Sequence, residues 1–391
     1  MRPVLSDTLP VLLPTEQDTL MIRACLCAGD AGKEAWYAWL EHIGDLREEL
    51  VHCRTSLSHF LPLLHVAMNR CKIEVQGDLA FHLRAAYFHE ELRGRSYQGV
   101  LQNVLRALKD AEIDLTVLKG AALAGTVYDN WALRHCHDID LLVDQVDLTP
   151  ASRALQNAGV RQYYEPSRTS RDIRLLHDSG LPIELHADLF RPPLCRSGKL
   201  TILERRQTKD VVGLSTHVLS PSDTLLHVCG HALCPESRAS LRWVTDAWSI
   251  AVKCADLDWD AFLEAAARTN LALPLDVMLT YLATHLDAPI PDLVLCSLTR
   301  EATHLGVHGR YHGLRNATRD WRSRAFLLRW RLFPSPSYLR WKYGVGSRGS
   351  VCLLYFARVV RYVARHARLV LARSGSIWYM KRPSIGGSCD E

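Results

Sequence analysis

Two aspartates one residue apart, Asp138 and Asp140, stand in the run His137-Asp138-Ile139-Asp140-Leu141-Leu142-Val143, where acid and apolar residues alternate as in a half-buried strand. Such alternation turns Ile139 and Leu141 to the core and sets both carboxyls on the other face, roughly 6 to 7 Å apart along the backbone. Hard oxygen ligands on a rigid strand suit Mg²⁺, which completes its shell with water and substrate phosphates. Upstream, Leu118-Lys119-Gly120-Ala121-Ala122 follows Ile113 to Leu118, a short apolar run that reads as a strand, and precedes a helix expected over Ala121 to Tyr128. Gly120 there ends the strand, and its missing Cβ lets a phosphate approach the backbone, while the helix N-terminus and Lys119 supply positive charge. Either feature alone is common, but together they point to nucleotide chemistry.

A third acid, Glu184, lies in Ile183-Glu184-Leu185-His186, where alternation puts it on the same side as His186. Each of these residues also has a plainer role. Arg134 can pair with Asp138 or Asp140, Lys119 can be a surface charge at a strand end, and His186 reads as a packed or carboxylate-orienting histidine.

The order helix, strand, Lys-Gly turn, helix, Arg-x-x-x-Asp-x-Asp strand resembles the polymerase-beta-like nucleotidyltransferase superfamily. In particular it looks like a bacterial branch known only as nucleotidyltransferase family proteins, whose turn reads Leu-Lys-Gly. Leu118-Lys119-Gly120, Tyr128, Arg134, Asp138 to Val143 and Ile183-Glu184-Leu185-His186 carry the likeness. It continues more loosely through His227, His231, Leu241-Arg242, Asp246 and Leu332-Phe333-Pro334. Ala121 departs from the many members that have a phosphate-holding serine there.

The resemblance implies an α+β fold, a small mixed sheet with flanking helices, plus helical N- and C-terminal regions. It also implies a Mg²⁺-dependent enzyme that moves a nucleoside monophosphate from an NTP to a hydroxyl, releasing pyrophosphate. Asp138, Asp140 and Glu184 would be the catalytic residues and ligands of two Mg²⁺ ions, with Mn²⁺ as the alternative ion. Lys119, Gly120, Arg134 and His186 would bind the nucleotide. The acceptor would be a small molecule, a peptide or protein, an RNA end, or a biosynthetic peptide or polysaccharide intermediate. The competing expectation is a catalytically silent protein of the same fold that recognises a partner through a basic C-terminal region.

Helical patterns (Trp36, Trp39, Leu40, Ile43; Phe60, Leu61, Leu64, Met68) predict a helical region over 1–95. The α/β core is expected over 96–200, with a helix from Ala151 to Ala158 stopped by Gly159 and Pro192-Pro193 closing the core. A helical domain follows over 201–300, with Ser222 and Asp223 as its first cap signal. His227, Cys229, His231 and Cys234 cluster, but without Cys-x-x-Cys pairs they read as part of an apolar helix lining the cleft rather than a zinc site.

The last region, 301–391, has 17 lysines and arginines against 4 acids, a net of +13 in a chain of +5, which leaves the rest at −8. Its arginines alternate with Trp321, Trp330, Tyr338 and Trp341, and Val351 to Leu371 reads as an amphipathic helix. A basic, aromatic region of this kind docks on the acidic body or contacts an anionic membrane, nucleic acid or an acidic peptide.

With 48% hydrophobic and 23% charged residues, the 391-residue chain has the composition of a globular, multidomain protein, which excludes a disordered one. The N-terminus carries no apolar h-region and no stretch of eighteen apolar residues occurs, so a cytoplasmic location with 12 reduced cysteines is expected.

Overall fold

The computed structural model describes residues 13–43, 58–162, 171–190, 199–233, 241–269 and 271–304, then 332, 333, 336, 339, 343 and 351–361. The chain divides into two compact units, Met1–Asp320 and Trp321–Glu391. In the second, 351–361 is helical and Leu353, Phe356 and Val360 share a face. Most of the basic and aromatic residues singled out there lie outside the described residues.

The first unit opens with α1 (Glu16–Leu26), α2 (Gly29–Ile43) and α3 (Leu61–Arg70). Thr15 caps α1 in a capping box with Asp18, which satisfies two of the orphan amides at that end. Trp36 and Trp39 on α2, and Phe60, Leu64 and Met68 on or just before α3, are buried together, as helical spacing requires. A 34-residue helix, α4 (Gly77–Asp110), then runs through the boundary expected near residue 95.

Among the described residues seven strands form one mixed sheet: β1 (Leu115–Val117), β2 (Ile139–Val143), β3 (Arg161–Gln162), β4 (Asp172–Leu176), β5 (Pro182–His186), β6 (Gln207–Val211) and β7 (Leu214–Val218). Their order is β3-β4-β5-β2-β1-β7-β6. At the centre β2 runs parallel to β5 and antiparallel to β1, and the register sets Asp140 opposite Glu184 and Leu142 opposite His186. The second half of α4 (Tyr97, Leu101, Val104, Leu105, Leu108) and α6 (Leu148–Asn157) bury one face of this sheet against Ile139, Leu141, Ile183 and Leu185. Gly159, in the left-handed region at φ 89°, follows the end of α6, a conformation that a residue without Cβ adopts at no steric cost.

The opposite face carries Leu142 into a second core. That core includes Leu118, Leu123 and Tyr128 from and around α5 (Lys119–Thr126) and the helices α8 (Pro221–Ala232), α9 (Arg242–Lys253), α10 (Trp259–Thr269), α11 (Ala272–His285) and α12 (Asp292–His304). A short helix, α7 (Lys199–Glu204), precedes β6. The α8 cap is Ser220, whose hydroxyl accepts from the Asp223 amide at 3.2 Å with Pro221 in the first turn, two residues earlier than the sequence signal suggests. The Asp223 carboxylate accepts from the Ser220 hydroxyl at 2.6 Å and from Arg205 at 2.6 Å. Among the described residues no helix is long and apolar enough to cross a membrane. The eight cysteines among the described residues are free thiols.

Candidate active site

Between the polar end of the β2–β5 pair and helices α8 and α9 lies a cavity of about 380 Å³. Lys119, Gly120, Arg134, Asp138, Glu184 and His186 line it, so it brings together six of the seven residues singled out from sequence. The seventh, Asp140, is 1% exposed and lies beneath that lining.

Asp140 is the hub. Its Oδ1 receives Lys119 Nζ at 2.5 Å and His186 Nε2 at 2.7 Å, and the other His186 nitrogen meets Asp172 Oδ1 at 3.0 Å. Glu184 Oε2 lies 3.6 Å from His186 Nε2, while its Oε1 pairs with Arg174 Nε at 2.9 Å. The parallel β2–β5 register explains Asp140 and Glu184, and the antiparallel β4–β5 register explains the rest, setting Asp172 against His186 and Arg174 against Glu184. Ligand atoms of Asp140, Glu184 and His186 lie within 4.8 Å of one another, which among the described residues is the one group close enough to share a metal ion. The His227, Cys229 and His231 set makes no such group, and Cys234 lies outside the described residues.

Asp138 stands one residue before β2, and its carboxylate turns to His137 Nε2 at 3.2 Å. Its backbone is held by Tyr97, whose hydroxyl donates to the Asp138 carbonyl at 2.8 Å. Burial, then the neighbouring Asp140 charge, pushes the Asp138 carboxyl up to about 7. Burial alone would raise Asp140 too, but Lys119 and His186 outweigh it and hold that carboxyl well below the usual carboxylate range. For His186, burial acts against protonation, yet the hydrogen bonds to Asp140 and Asp172 raise it to about 9. The two aspartates of the motif are thus driven apart, one toward neutrality and one fixed as an anion.

One sequence expectation needs correction. Gly120 does not end the strand but is the second residue of α5, and the left-handed residue of the turn is Lys119 at φ 49°. A Cβ on Gly120 would meet Cys136 Sγ at 3.1 Å, so the glycine admits the Cys136 thiol behind the turn. Arg134, expected to bind the nucleotide or to pair with Asp138 or Asp140, gives Nε and Nη2 to Asp246 at 2.7 and 2.8 Å and Nη1 to the His135 carbonyl at 2.5 Å. Its charge stays beside Gly120, but a bidentate carboxylate occupies its fork. Tyr128 also donates to Asp246 at 2.9 Å, so this carboxylate ties the turn after α5 to α9.

Sequence reasoning passed over Asp172 and Arg174, although their period-two spacing before the β5 hairpin is the same signal that marked Asp138 and Asp140. Phe190 and Trp243 on the cavity wall carry no comparable signal. His227 is buried with Nε2 lacking a hydrogen-bond partner, packed edge-on to Phe190 at 5.6 Å, and burial followed by the Lys119 charge lowers it to about 3. It therefore presents a neutral imidazole to the cavity.

The family model described as uncharacterised nucleotidyltransferase matches residues 57–287, more than half of the chain, and spans every residue of this site. No curated protein and no solved structure matches it.

Proposed function

Because the chain belongs to the uncharacterised nucleotidyltransferase family, we propose that it transfers a nucleoside monophosphate from an NTP to a hydroxyl group in a reaction that requires a divalent cation, Mg²⁺ or Mn²⁺. The observation that carries this reading is the convergence of Asp140, Glu184 and His186 within 4.8 Å on two register-paired strands.

The donor set fits a divalent cation. Asp140 and Glu184 offer carboxylate oxygens, Asp138 stands next in line, and acids so close repel one another unless positive charge is present. Lys119 and His186 now supply that charge at Asp140. Asp138, Asp140 and Glu184 would hold the ions, which when bound neutralise the phosphate oxygens and polarise the reacting phosphoryl group.

In the reaction the acceptor oxygen bonds to the α-phosphorus and the anhydride bond to the β-phosphate breaks. Pyrophosphate leaves with the bridging oxygen, and the acceptor proton passes to Glu184. Arg174 holds Glu184 in place from the neighbouring strand. Lys119 neutralises phosphate charge, Gly120 lines the helix turn, and Arg134 contributes its charge while fixing the segment before Asp138. His186 orients Asp140 by bridging it to Asp172.

A silent binding protein of the same fold is the other reading, and one experiment separates the two. The full chain is incubated with each α-³²P-labelled NTP, Mg²⁺ or Mn²⁺, and a lysate of its host. Cation-dependent label on a discrete product, lost in Asp140→Asn and Glu184→Gln, is the expected result. No label, together with no cation-dependent heat on titrating any NTP into the purified protein, would overturn it.

A further inference from the structure

Beside the acids, three histidine rings lie nearly parallel. His59 stacks on His135 with centroids 4.0 Å apart and planes 15° from parallel, and His137 follows His135 at 6.4 Å and 10°. The second interval comes from the chain itself: residues i and i+2 of an extended segment project to one side about 6.5 to 7 Å apart. The side chains grow more exposed toward the cavity, from 17% at His135 to 55% at His137.

The terminal ring is fixed edge-on. Arg242 Nη1 meets His137 Nδ1 at 3.1 Å, and His137 Nε2 faces Asp138 Oδ2 at 3.2 Å. With both nitrogens occupied in the ring plane, what His137 offers a ligand is its π-face. The His135 ring is held as firmly, since Glu90 grips its Nδ1 at 3.0 Å and Arg93 donates both to Glu90 and to the Cys136 carbonyl. The orientation of the platform is therefore set before any ligand arrives, which lowers the entropic cost of stacking on it.

We propose that the exposed face of His137 is the seat of the donor's nucleobase. The inference rests on the nucleotidyl-transfer reading and adds where the base lies and what holds it. His137 is next in sequence to Asp138, so a base stacked on it leaves the triphosphate directed toward Lys119 and the carboxylates. Stacking is tolerant of base identity because every base has a π-face, and imidazole rings are among those used for it.

The test uses the full-length protein with Mg²⁺ and two probes, an NTP and inorganic tripolyphosphate, both measured by calorimetry. The wild type is expected to bind the NTP about tenfold or more tighter than tripolyphosphate, within the range of a single stacking contact. His137→Ala should erase most of that difference and leave tripolyphosphate within about twofold, whereas His137→Phe, which restores an aromatic face but neither edge contact, should recover NTP affinity. Equal wild-type affinities for the two probes would overturn the base seat while leaving a phosphate site. Equal loss for both probes in His137→Ala, or failure of phenylalanine to recover binding, would show that the histidine acts through Asp138 and would likewise overturn it. If neither probe binds the wild type, the nucleotide reading falls along with the seat.

Discussion

Removing Arg134 should cost the protein more stability than any exposed charge, and the size of that cost follows from its surroundings. Arg134 and Asp246 have side-chain exposures of 11% and 4%, and they meet through two bonds of 2.7 and 2.8 Å. Truncating one partner of a buried, hydrogen-bonded pair strands the other charge, at about 3 to 5 kcal/mol. That is a fifth or more of the roughly 5 to 15 kcal/mol by which domains are stable. Arg134→Ala leaves Asp246 with Tyr128 as its hydrogen-bond donor, and Asp246→Ala leaves the guanidinium with the His135 carbonyl. The double variant Arg134→Met/Asp246→Leu removes both charges and fills the space, so it should recover to within about 1 to 2 kcal/mol of wild type. Urea unfolding followed by tryptophan fluorescence reads all four proteins. The same double variant should still bind NTP, though less tightly for want of the arginine's charge, because the arginine's fork is taken up by Asp246 rather than by ligand. Single variants that each cost under about 1 kcal/mol, or a double variant as unstable as the two singles summed, would refute the reasoning.

Three further outcomes follow from local geometry. A Cβ on Gly230 would lie 2.4 Å from Phe190 Cε1 and 3.0 Å from Leu271 Cδ1, so Gly230→Ala should lose about 1 to 3 kcal/mol in denaturant melts and Phe190→Leu should rescue part of it. Asp138 is pushed up to about 7, so the cation-free protein favours its neutral form and loses stability as pH rises from the ordinary carboxyl range through 7. A cation binds the ionised form, so the Tm increase caused by Mn²⁺ should be larger at pH 8 than at pH 6, and Asp138→Asn should flatten that difference in thermal-shift measurements. For Glu90, burial acts to raise the carboxyl but His135 and Arg93 bring it below its ordinary value. Its contribution is thus present above about 4.5 and lost as pH falls through the lowered value, so the stability gap between wild type and Glu90→Gln, measured by urea melts from pH 7 downward, should hold to about 4.5 and narrow below it.

What could be read from the chain was what local periodicity encodes. Alternation around Asp140 correctly placed Ile139 and Leu141 in the core, because successive side chains of a strand turn to opposite faces. Helical spacing likewise found the Trp36–Trp39 and Phe60–Met68 faces. Partners chosen by tertiary pairing left no such trace. Asp246 lies 112 residues from Arg134, and no spacing rule links them. Asp172 and Arg174 gain meaning when β4 folds back on β5 and sets them against His186 and Glu184. At the turn, the glycine drew attention to itself, yet the left-handed conformation belongs to Lys119, whose ammonium gains a 2.5 Å contact with Asp140. A non-glycine residue in that region is held there by its surroundings, which sequence alone does not display.

The claim on which the rest depends is that Asp138, Asp140 and Glu184 gather a divalent cation, and anomalous diffraction from crystals grown with Mn²⁺ and a non-hydrolysable NTP analogue tests it most directly. The expected result is anomalous density within coordination distance of Asp140 and Glu184, lost in Asp140→Asn. Lys119 should be drawn from the aspartate toward the phosphates. Well-ordered analogue with no anomalous peak near these carboxylates, or a peak elsewhere on the chain, would contradict it.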